Sequence, residues 1–312
     1  MKATIINKYG GTEVIETSDD IQKPAVKAGQ VLVEVHAASL NRIDSVIRAG
    51  YLHQLMPLNF PSVLGGDFAG IVAQVGEGAT NVKTGDEVYG YAGAFLGGSG
   101  SLAENTSVSV DKVPKKPKSI DMATAASLPL AGASAIQAIE EHIKLQKGQK
   151  ILIHGGSGGI GSLAIQLAKL HEAYVATTVS TSNIELAKKL GADEVIDYKT
   201  NDFTTIIKDY DAVLVAAAEE LNNSYKVVKK GGILVSIAGN VDENLAKEHG
   251  ITAITQMTRT STSQLKRLGE LVDSGKLKPL IDKTFTFNDA KEAFDYFEQK
   301  HPRGKVVIRI NE

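Results

Sequence analysis

The chain has no cysteine among its 312 residues. This absence excludes disulfide bonds, thiolate nucleophiles and every zinc site built on cysteine ligands. An excess of charge of one sign is also missing, because 34 Lys and Arg against 36 Asp and Glu leave a formal net charge of -2. A nearly neutral chain lacks the basic surface that binds nucleic acid or anionic membranes, so neither partner is expected.

Long apolar runs are missing as well. No stretch approaches the roughly 20 apolar residues of a transmembrane helix, and Met1 leads into a strand-like segment without the apolar core of a signal peptide. We therefore expect a cytoplasmic protein with no membrane partner. Its length allows two domains.

A glycine-rich turn is the clearest motif that is present. It follows an apolar strand at 150–154 and precedes a helical pattern, and its glycines fit G-x-G-x-x-G. In a dinucleotide-binding turn these glycines make the bend, admit the pyrophosphate and let the helix pack on the strand. The helix N-terminus adds unpaired N–H groups. A P-loop is excluded because Ser162 stands where that motif needs lysine. The expected dinucleotide contacts are Gly156, Ser157, Gly158, Gly159, Ile160 and Gly161.

The chain changes its pattern at this turn. Before it, short strands between glycines dominate, as at 31–37, 70–76 and 85–90. After it, apolar strands alternate with helices, which predicts a parallel sheet covered on both faces. The expected strands are 150–154, 174–178, 194–197, 212–216 and 233–237, with 251–255 as a sixth candidate. Asp121 to Ile143 is expected to be helical, with a break or a helix start at Pro129. Asn288 is expected to cap a helix over 290–297, before a strand at 306–310.

Further segments carry a resemblance to a known family. They are Leu40–Asp44, Gly65–Val72, Gly85–Gly90, Ser127–Pro129, Leu152–Gly156, Leu190–Tyr198 and Arg303–Val307. In this order they resemble the medium-chain dehydrogenase/reductase superfamily, in particular its zinc-free quinone oxidoreductase branch, the zeta-crystallin-like proteins. The resemblance implies an α/β protein with a GroES-like β-rich substrate and catalytic domain (1–122 and 266–312) and a Rossmann NAD(P)-binding domain with a doubly wound parallel sheet (123–265). It also implies an active site in the cleft and a homodimer or homotetramer joined through the Rossmann sheet.

A zinc site is not expected. Zinc-dependent relatives place a cysteine at the position of Asn41 and a His-Glu pair at the positions of Gly66 and Asp67. Asp44 and Asp67 alone lack the nitrogen or sulfur ligands that zinc prefers. His154, at the end of the apolar strand, is expected to be structural.

The end of the second strand favours NADP over NAD as the cofactor. An NAD site places an acidic residue about 20 residues after the glycine turn, at the end of the second strand, but here no carboxylate follows that strand until Glu185. The hydroxyls of Ser180, Thr181 and Ser182 can donate to a 2′-phosphate. Relatives often carry Lys or Arg at two of these positions, so Lys199, beside Tyr198, is the candidate for the missing charge. The alternative is a solvated polar loop without selectivity.

Other cofactor contacts follow from the resemblance. Tyr198 matches a family tyrosine of this pocket, and Ser134 matches a threonine beside the nicotinamide. The alternative for Ser134 is a helix hydroxyl bonded to its own backbone. Ile237, Ala238 and Gly239 end the fifth strand, where ligands of such sheets bind.

The chemistry without metal or thiolate requires an electrophilic acceptor. A quinone or an enone fits, because either accepts hydride to give a delocalised oxyanion. Asn41 and Tyr51 are the candidate donors to that oxyanion, and Asp44 is expected to orient neighbours or a ribose hydroxyl. Turn formation for Asn41 and loop packing for Tyr51 are the alternatives.

We therefore expect a zinc-independent, NADPH-dependent oxidoreductase that transfers hydride to quinones or other α,β-unsaturated carbonyls. A dedicated alkenal or enone double-bond reductase is an alternative within enzymes. A non-catalytic NADPH-binding redox sensor or structural protein is the alternative outside them. It is motivated by Arg42 and Val46, which depart from the family pattern.

Overall fold

The computed structural model describes residues 1–94 and 97–311. The chain forms two compact units. The β-rich unit comprises Met1–Ala131, Thr260–Gly275 and Pro279–Glu312, and the parallel-sheet unit comprises Gly132–Arg259 and Lys276–Lys278. The domain limits expected from the sequence, 1–122 with 266–312 and 123–265, stay a prediction.

The secondary structure alternates as follows in the part of the chain that the structure describes. The strands are β1 (Ala3–Ile6), β2 (Ile15–Ser18), β3 (Gln30–Ser39), β4 (Ser62–Val63), β5 (Asp67–Val75), β6 (Glu87–Tyr91), β7 (Asn105–Ser109), β8 (Lys150–His154), β9 (Tyr174–Val179), β10 (Glu194–Asp197), β11 (Tyr210–Val215), β12 (Val228–Ser236), β13 (Thr252–Thr255), β14 (Ile281–Thr286) and β15 (Lys305–Arg309). The α-helices are α1 (Arg42–Arg48), α2 (Met122–Ala126), α3 (Pro129–Ile136), α4 (Gly159–Leu170), α5 (Ile184–Lys189), α6 (Leu221–Ser224), α7 (Glu243–His249), α8 (Thr262–Asp273) and α9 (Ala290–Lys300).

The β-rich unit is built on the long strand β3. The sheet order is β14-β15-β3-β5-β6, with β7 also paired to β3, and a smaller sheet has the order β2-β1-β4. Val31, Val33 and Val35 alternate along β3 and enter one apolar core, to which α9 contributes Phe294. This period of two is the sequence pattern of a half-buried strand. The arrangement places the start of β15, the end of β3 and the start of β5 side by side.

The parallel-sheet unit has the doubly wound topology. Its six strands are parallel and follow the order β10-β9-β8-β11-β12-β13. Counted within the unit this is 3-2-1-4-5-6, the Rossmann order, and the order reverses between β8 and β11. The predicted parallel sheet and α/β class are therefore confirmed. The carboxyl end of β8 lies at the reversal, where such folds bind ligands.

Two local predictions need comment. The region 121–143 divides into α2, α3, which Pro129 begins, and a π-helix at Gln137–Ile143. The prediction that Asn288 caps the last helix is wrong, because a 3-10 turn at Phe287–Asp289 precedes α9 and puts Asp289 at the capping position. Among the described residues, no helix combines the length and apolarity needed to cross a membrane.

Candidate active site

The glycine turn between β8 and α4 is shaped by close backbone contacts. A Cβ on Gly161 would lie 2.2 Å from the carbonyl oxygen of Gly155, and one on Gly156 would lie 2.1 Å from Oγ1 of Thr177. Both distances are far below van der Waals contact, so only glycine lets α4 and β9 approach the turn. The contact at Gly161 agrees with the close helix packing that the motif predicts for its third glycine, whereas the contact at Gly156 is with the neighbouring strand β9.

Gly158 differs from the other two. It is the N-cap of α4, with φ -80° and ψ 176°, and the nearest atom to a Cβ there is the Gly155 carbonyl oxygen at 3.4 Å. Open space therefore lies beside the N-terminus of a 12-residue helix. The residues present fit a dinucleotide, because the helix end offers N–H groups and the missing side chain leaves room for a pyrophosphate.

His154, the last residue of β8, lies directly before the turn. It is fully buried, with Nδ1 2.9 Å from Thr178 Oγ1 and Nε2 3.0 Å from Ser224 Oγ. The Ser224 hydroxyl donates to the carbonyl oxygen of Glu220 at 2.6 Å, so it accepts from His154 and fixes the Nε2–H tautomer. Burial lowers the pKa of His154 to about 3. The imidazole is thus neutral, with both nitrogens bonded inside the unit, and the geometry supports the structural role.

Asn183 joins two segments that the sequence assigns separately to the cofactor. Its Nδ2 donates to Ser157 Oγ at 3.0 Å and to Ser180 Oγ at 3.1 Å. Asn183 is buried, and its Oδ1 has no hydrogen-bond partner among the described residues. Nothing in the local sequence distinguishes Asn183 from an ordinary helix-capping residue, so its contacts could not be predicted.

Thr181 and Ser182, shortly after the end of β9, are exposed, and so is Tyr198, directly after β10. The Thr181 hydroxyl donates to Asp197 Oδ2 at 2.6 Å, and this bond is the main cause that lowers the pKa of Asp197. The single hydroxyl hydrogen of Thr181 is therefore committed to a carboxylate of the same chain. Ser180 and Ser182 have their hydroxyl oxygens 3.5 Å apart.

The remaining predicted cofactor residues lie elsewhere in the parallel-sheet unit. Ser134 is buried in α3, and its hydroxyl oxygen is 2.8 Å from Thr258 Oγ1. Ile237 and Ala238 are half-buried directly after β12, and Gly239 is exposed. Its carbonyl oxygen accepts a hydrogen bond from Ser236 Oγ at 2.7 Å, which fixes the turn after the strand.

A polar cluster is buried in the β-rich unit. The Lys305 ammonium is 2.5 Å from Asn41 Oδ1 and 3.1 Å from Asp67 Oδ2, and Asn41 Nδ2 donates to Asp67 Oδ2 at 2.9 Å. Asp67 Oδ2 also accepts from Ser39 Oγ at 3.0 Å, while its Oδ1 accepts from the N–H of Leu130 at 2.8 Å. Three neighbouring strands and the start of α1 thus converge on one carboxylate.

Asp44 lies next to this cluster on the first turn of α1. It is buried, and its Oδ2 accepts the backbone N–H of Asn41 at 2.8 Å. Burial raises the pKa of Asp44 to about 7, helped by the nearby Asp67 charge and opposed by the Asn41 hydrogen bond and Lys305. A carboxyl group that titrates near neutral pH is a recurrent feature of active sites.

Tyr51 is not part of the cluster in this geometry. It is 82% exposed, and its hydroxyl makes no hydrogen bond among the described residues. Arg48, the last residue of α1, is buried. It pairs with Glu298 at 2.7 Å and donates to the Gly10 carbonyl oxygen at 2.6 Å. The structure therefore brings Asn41 and Asp44 together and leaves Tyr51 apart.

The cluster does not fit zinc. Asn41 and Asp67 already share the Lys305 ammonium, and amide and carboxylate oxygens are not the nitrogen and sulfur donors that zinc prefers. Within residues 1–94 and 97–311, no group of three or more His, Cys, Asp or Glu is placed to hold a metal ion.

Known proteins match this chain over nearly its full length. It is 38% identical to an NADPH-dependent alkenal/one oxidoreductase, chloroplastic, of Arabidopsis thaliana over 99% of this chain and 79% of that protein. The chain belongs to the medium-chain dehydrogenase/reductase superfamily. Within this superfamily, residues 27–118 match the alcohol dehydrogenase GroES-like domain, and 190–308 match a domain described as zinc-binding dehydrogenase.

Two more members of the superfamily extend the comparison. A chloroplastic quinone oxidoreductase of Triphysaria versicolor is 33% identical over 99% of this chain and 98% of its own length. The solved quinone oxidoreductase from Coxiella burnetii superimposes with a TM-score of 0.92 at 34% identity, covering 100% of this chain and 99% of that one. The predicted family and fold are thus confirmed, and the protein is an oxidoreductase.

Proposed function

We propose that the protein is a zinc-independent, NADPH-dependent oxidoreductase that transfers hydride to quinones or other α,β-unsaturated carbonyl compounds. The observation that carries this proposal is the buried cluster, in which Asn41 and Asp67 hold an ammonium group in a member of a superfamily of dehydrogenases. The names of the relatives, an alkenal/one oxidoreductase and quinone oxidoreductases, support the same acceptor class.

The chain would hold NADPH through the glycine turn and the N-terminus of α4. Bound NADPH supplies the hydride. The chain itself offers positioning and hydrogen bonds, and its cluster offers no Lewis acid to polarise a saturated carbonyl group. A conjugated acceptor needs less assistance, because the negative charge that it gains is delocalised onto oxygen.

Asn41 is the proposed donor to that oxygen. One N–H of its amide donates to Asp67. The Asn41 side chain also hydrogen-bonds the Asp44 carboxyl, which opposes the rise in the pKa of Asp44, so an acceptor oxygen would compete with Asp44 for the second N–H. A preorganised N–H in a buried site stabilises a developing oxyanion more than the same group in water. Asp44 holds the backbone of Asn41. Tyr51, which is exposed, stays a proposed second donor.

The preference for NADP over NAD is part of the proposal. The hydroxyls of Ser180 and Ser182 lie near the glycine turn through Asn183, and the first carboxylate after β9 in the chain is Glu185. Asp197 is close, but it already accepts from Thr181 and from the N–H of Lys199 at 3.0 Å. The Lys199 side chain is the proposed source of positive charge for the 2′-phosphate.

Assembly and location also stay proposals. β13 is an edge strand of the parallel sheet, which supports a homodimer or homotetramer joined there. Light scattering behind size exclusion tests the assembly, and a monomeric mass would reject it. The cytoplasmic location predicted from the sequence is tested by fractionation of the source cells.

The test is NADPH and NADH oxidation against quinones and enals, with their saturated analogues as controls. We expect turnover with the conjugated acceptors and a lower KM for NADPH than for NADH. Activity on enals but not on quinones would support the dedicated double-bond reductase instead. Binding of NADPH without turnover of any acceptor would support the non-catalytic alternative. An equal or higher KM for NADPH would reject the cofactor preference.

A further inference from the structure

Lys305 is the residue of the cluster to which neither the sequence pattern nor the proposed function assigns a role. Lys305 is the first residue of β15 and lies 264 positions from Asn41 in the sequence. It is buried, with 4% of its surface exposed. Its ammonium, the Asn41 amide and the Asp67 carboxylate form a closed triangle of hydrogen bonds. A buried lysine is rare unless it is paired, so the triangle explains its burial.

The triangle admits only one orientation of the Asn41 amide. An ammonium group has donors only and a carboxylate has acceptors only. Oδ1 of Asn41 must therefore face Lys305, and Nδ2 must face Asp67. Rotating the amide by half a turn would place its N–H groups against the Lys305 ammonium and its oxygen against the Asp67 carboxylate. The second N–H of Asn41 is thereby held in a fixed direction, away from Asp67.

The ammonium also balances the charge beside Asn41. Asp67 is fully buried, and its other partners, the Ser39 hydroxyl and the Leu130 N–H, are neutral. A buried carboxylate without a cation would oppose a second negative charge nearby. With Lys305 in place, the pair adds no net charge next to the donor that would meet an oxyanion.

We propose that Lys305 is a positioning residue for hydride transfer. Its ammonium fixes the Asn41 amide, so that the second N–H is held for the carbonyl oxygen of the acceptor, and it cancels the charge of Asp67. This inference rests on the proposed function, because it assigns Asn41 to the acceptor.

The competing explanation is that Lys305 is only the structural partner of Asp67. Lys305→Met removes the ammonium, and the double variant Lys305→Met/Asp67→Asn removes both charges. If the role is structural, the double variant regains both stability and activity. If Lys305 positions Asn41, the double variant folds but its kcat stays low, since Oδ1 of Asn41 still lacks the ammonium group. Lys305→Arg keeps a donor with positive charge and should recover part of the activity.

Lys116 provides the matched control. It is also a buried lysine of the β-rich unit, and it donates to the carbonyl oxygens of Pro117 at 3.0 Å and Ile120 at 2.6 Å. It pairs with Glu87 at 3.3 Å and makes no contact with the cluster. Lys116→Met thus loses a buried ammonium elsewhere, so its stability should fall while kcat stays at the wild-type value.

The decisive experiment measures kcat and both KM values for these variants with NADPH and an enone, and records the side-chain amide NMR signals of Asn41. We expect kcat to fall by about 100-fold in Lys305→Met, as for the loss of one oxyanion donor, with an unchanged KM for NADPH. The Asn41 side-chain N–H protons should exchange slowly with water in the wild type and the Lys116 variant and markedly faster in Lys305→Met.

Two results would overturn the proposal: wild-type kcat in folded Lys305→Met, or recovery of kcat in the double variant. Unchanged water exchange of the Asn41 side-chain N–H protons in Lys305→Met would overturn it as well. If the wild type itself reduces no conjugated carbonyl, the proposed function fails, and the NMR comparison alone then decides whether Lys305 orients Asn41.

Discussion

Replacing Gly158 with alanine should separate cofactor binding from folding. The backbone of Gly158 has φ -80° and ψ 176°, which alanine adopts without strain. The new Cβ would meet only the Gly155 carbonyl oxygen, at an ordinary 3.4 Å. The free energy of unfolding without cofactor should therefore change by less than about 1 kcal/mol. The methyl group nevertheless fills the space at the N-terminus of α4 where the pyrophosphate would lie, so NADPH should bind at least about tenfold more weakly, or about 1.4 kcal/mol.

Gly161→Ala is the matched comparison within the same turn. Alanine is favoured over glycine by about 1 kcal/mol inside a helix. Its Cβ would, however, lie 2.2 Å from the Gly155 carbonyl oxygen, more than 1 Å inside the 3.4 Å of ordinary contact. Overpacking of this kind costs about 1 to 3 kcal/mol. We expect a net destabilisation of up to about 2 kcal/mol and, because the turn must move, weaker NADPH binding too.

Urea unfolding with and without NADPH measures both effects. At an NADPH concentration 100 times its Kd, the wild type should gain about 2.7 kcal/mol. At the same concentration, a tenfold weaker Gly158→Ala variant should gain about 1.4 kcal/mol from an equally stable starting point. Wild-type binding by Gly158→Ala would show that the pyrophosphate does not lie at this helix end. A Gly158→Ala variant that fails to fold would contradict the structural reasoning.

Three further predictions concern buried charges. His154 has a pKa of about 3 in the fold and 6.5 as its ordinary value, so its contribution to the free energy of unfolding is complete above pH 6.5 and falls by about 1.4 kcal/mol per pH unit toward pH 3. His154→Gln should make the free energy of unfolding, measured with urea, depend less on pH in this range. An unchanged slope would count against the buried neutral imidazole. Asp44 has a pKa of about 7 in the fold, raised from 3.8, so the free energy of unfolding falls by up to about 4 kcal/mol as pH rises from 3.8 to 7. Asp44→Asn should therefore be more stable than the wild type at pH 8 but not at pH 4; equal differences at both would refute this. Arg48→Met should lower the free energy of unfolding by about 3 kcal/mol, because Glu298 loses its partner, while the Kd for NADPH stays unchanged; a changed Kd would instead tie Arg48 to binding.

The architecture of both units follows from local patterns. The alternation along β3 and the apolar strands after residue 150 each report burial over a few residues, so the strands and the parallel sheet are readable from the sequence. The turn at Gly156 to Gly161 can be predicted from the sequence because each of its glycines meets a separate steric requirement. The prediction that Asn288 caps α9 failed because a single 3-10 turn moves the start of the helix by one residue. Capping preferences do not resolve a difference of one residue.

The chemistry of the buried cluster could not be read in this way. Lys305 lies 238 residues from Asp67 in the chain and precedes an apolar strand, where a lysine ordinarily marks a solvated strand end. Arg48 likewise has the spacing of a surface helix charge, yet its partner, Glu298, is 250 positions away. Asn183 contacts Ser157 across 26 residues. These pairings arise only once the sheets bring distant strands together, so a single sequence carries no signal for them.

The most direct test of hydride transfer without a metal uses but-3-en-2-one and its saturated analogue butan-2-one. The enzyme would be supplied with NADPH deuterated at the transferable position. We predict oxidation of NADPH with the enone only, and deuterium at the β-carbon of the product. Comparable reduction of butan-2-one, or deuterium at its carbonyl carbon, would contradict the claim that this site acts only on acceptors that are already electrophilic.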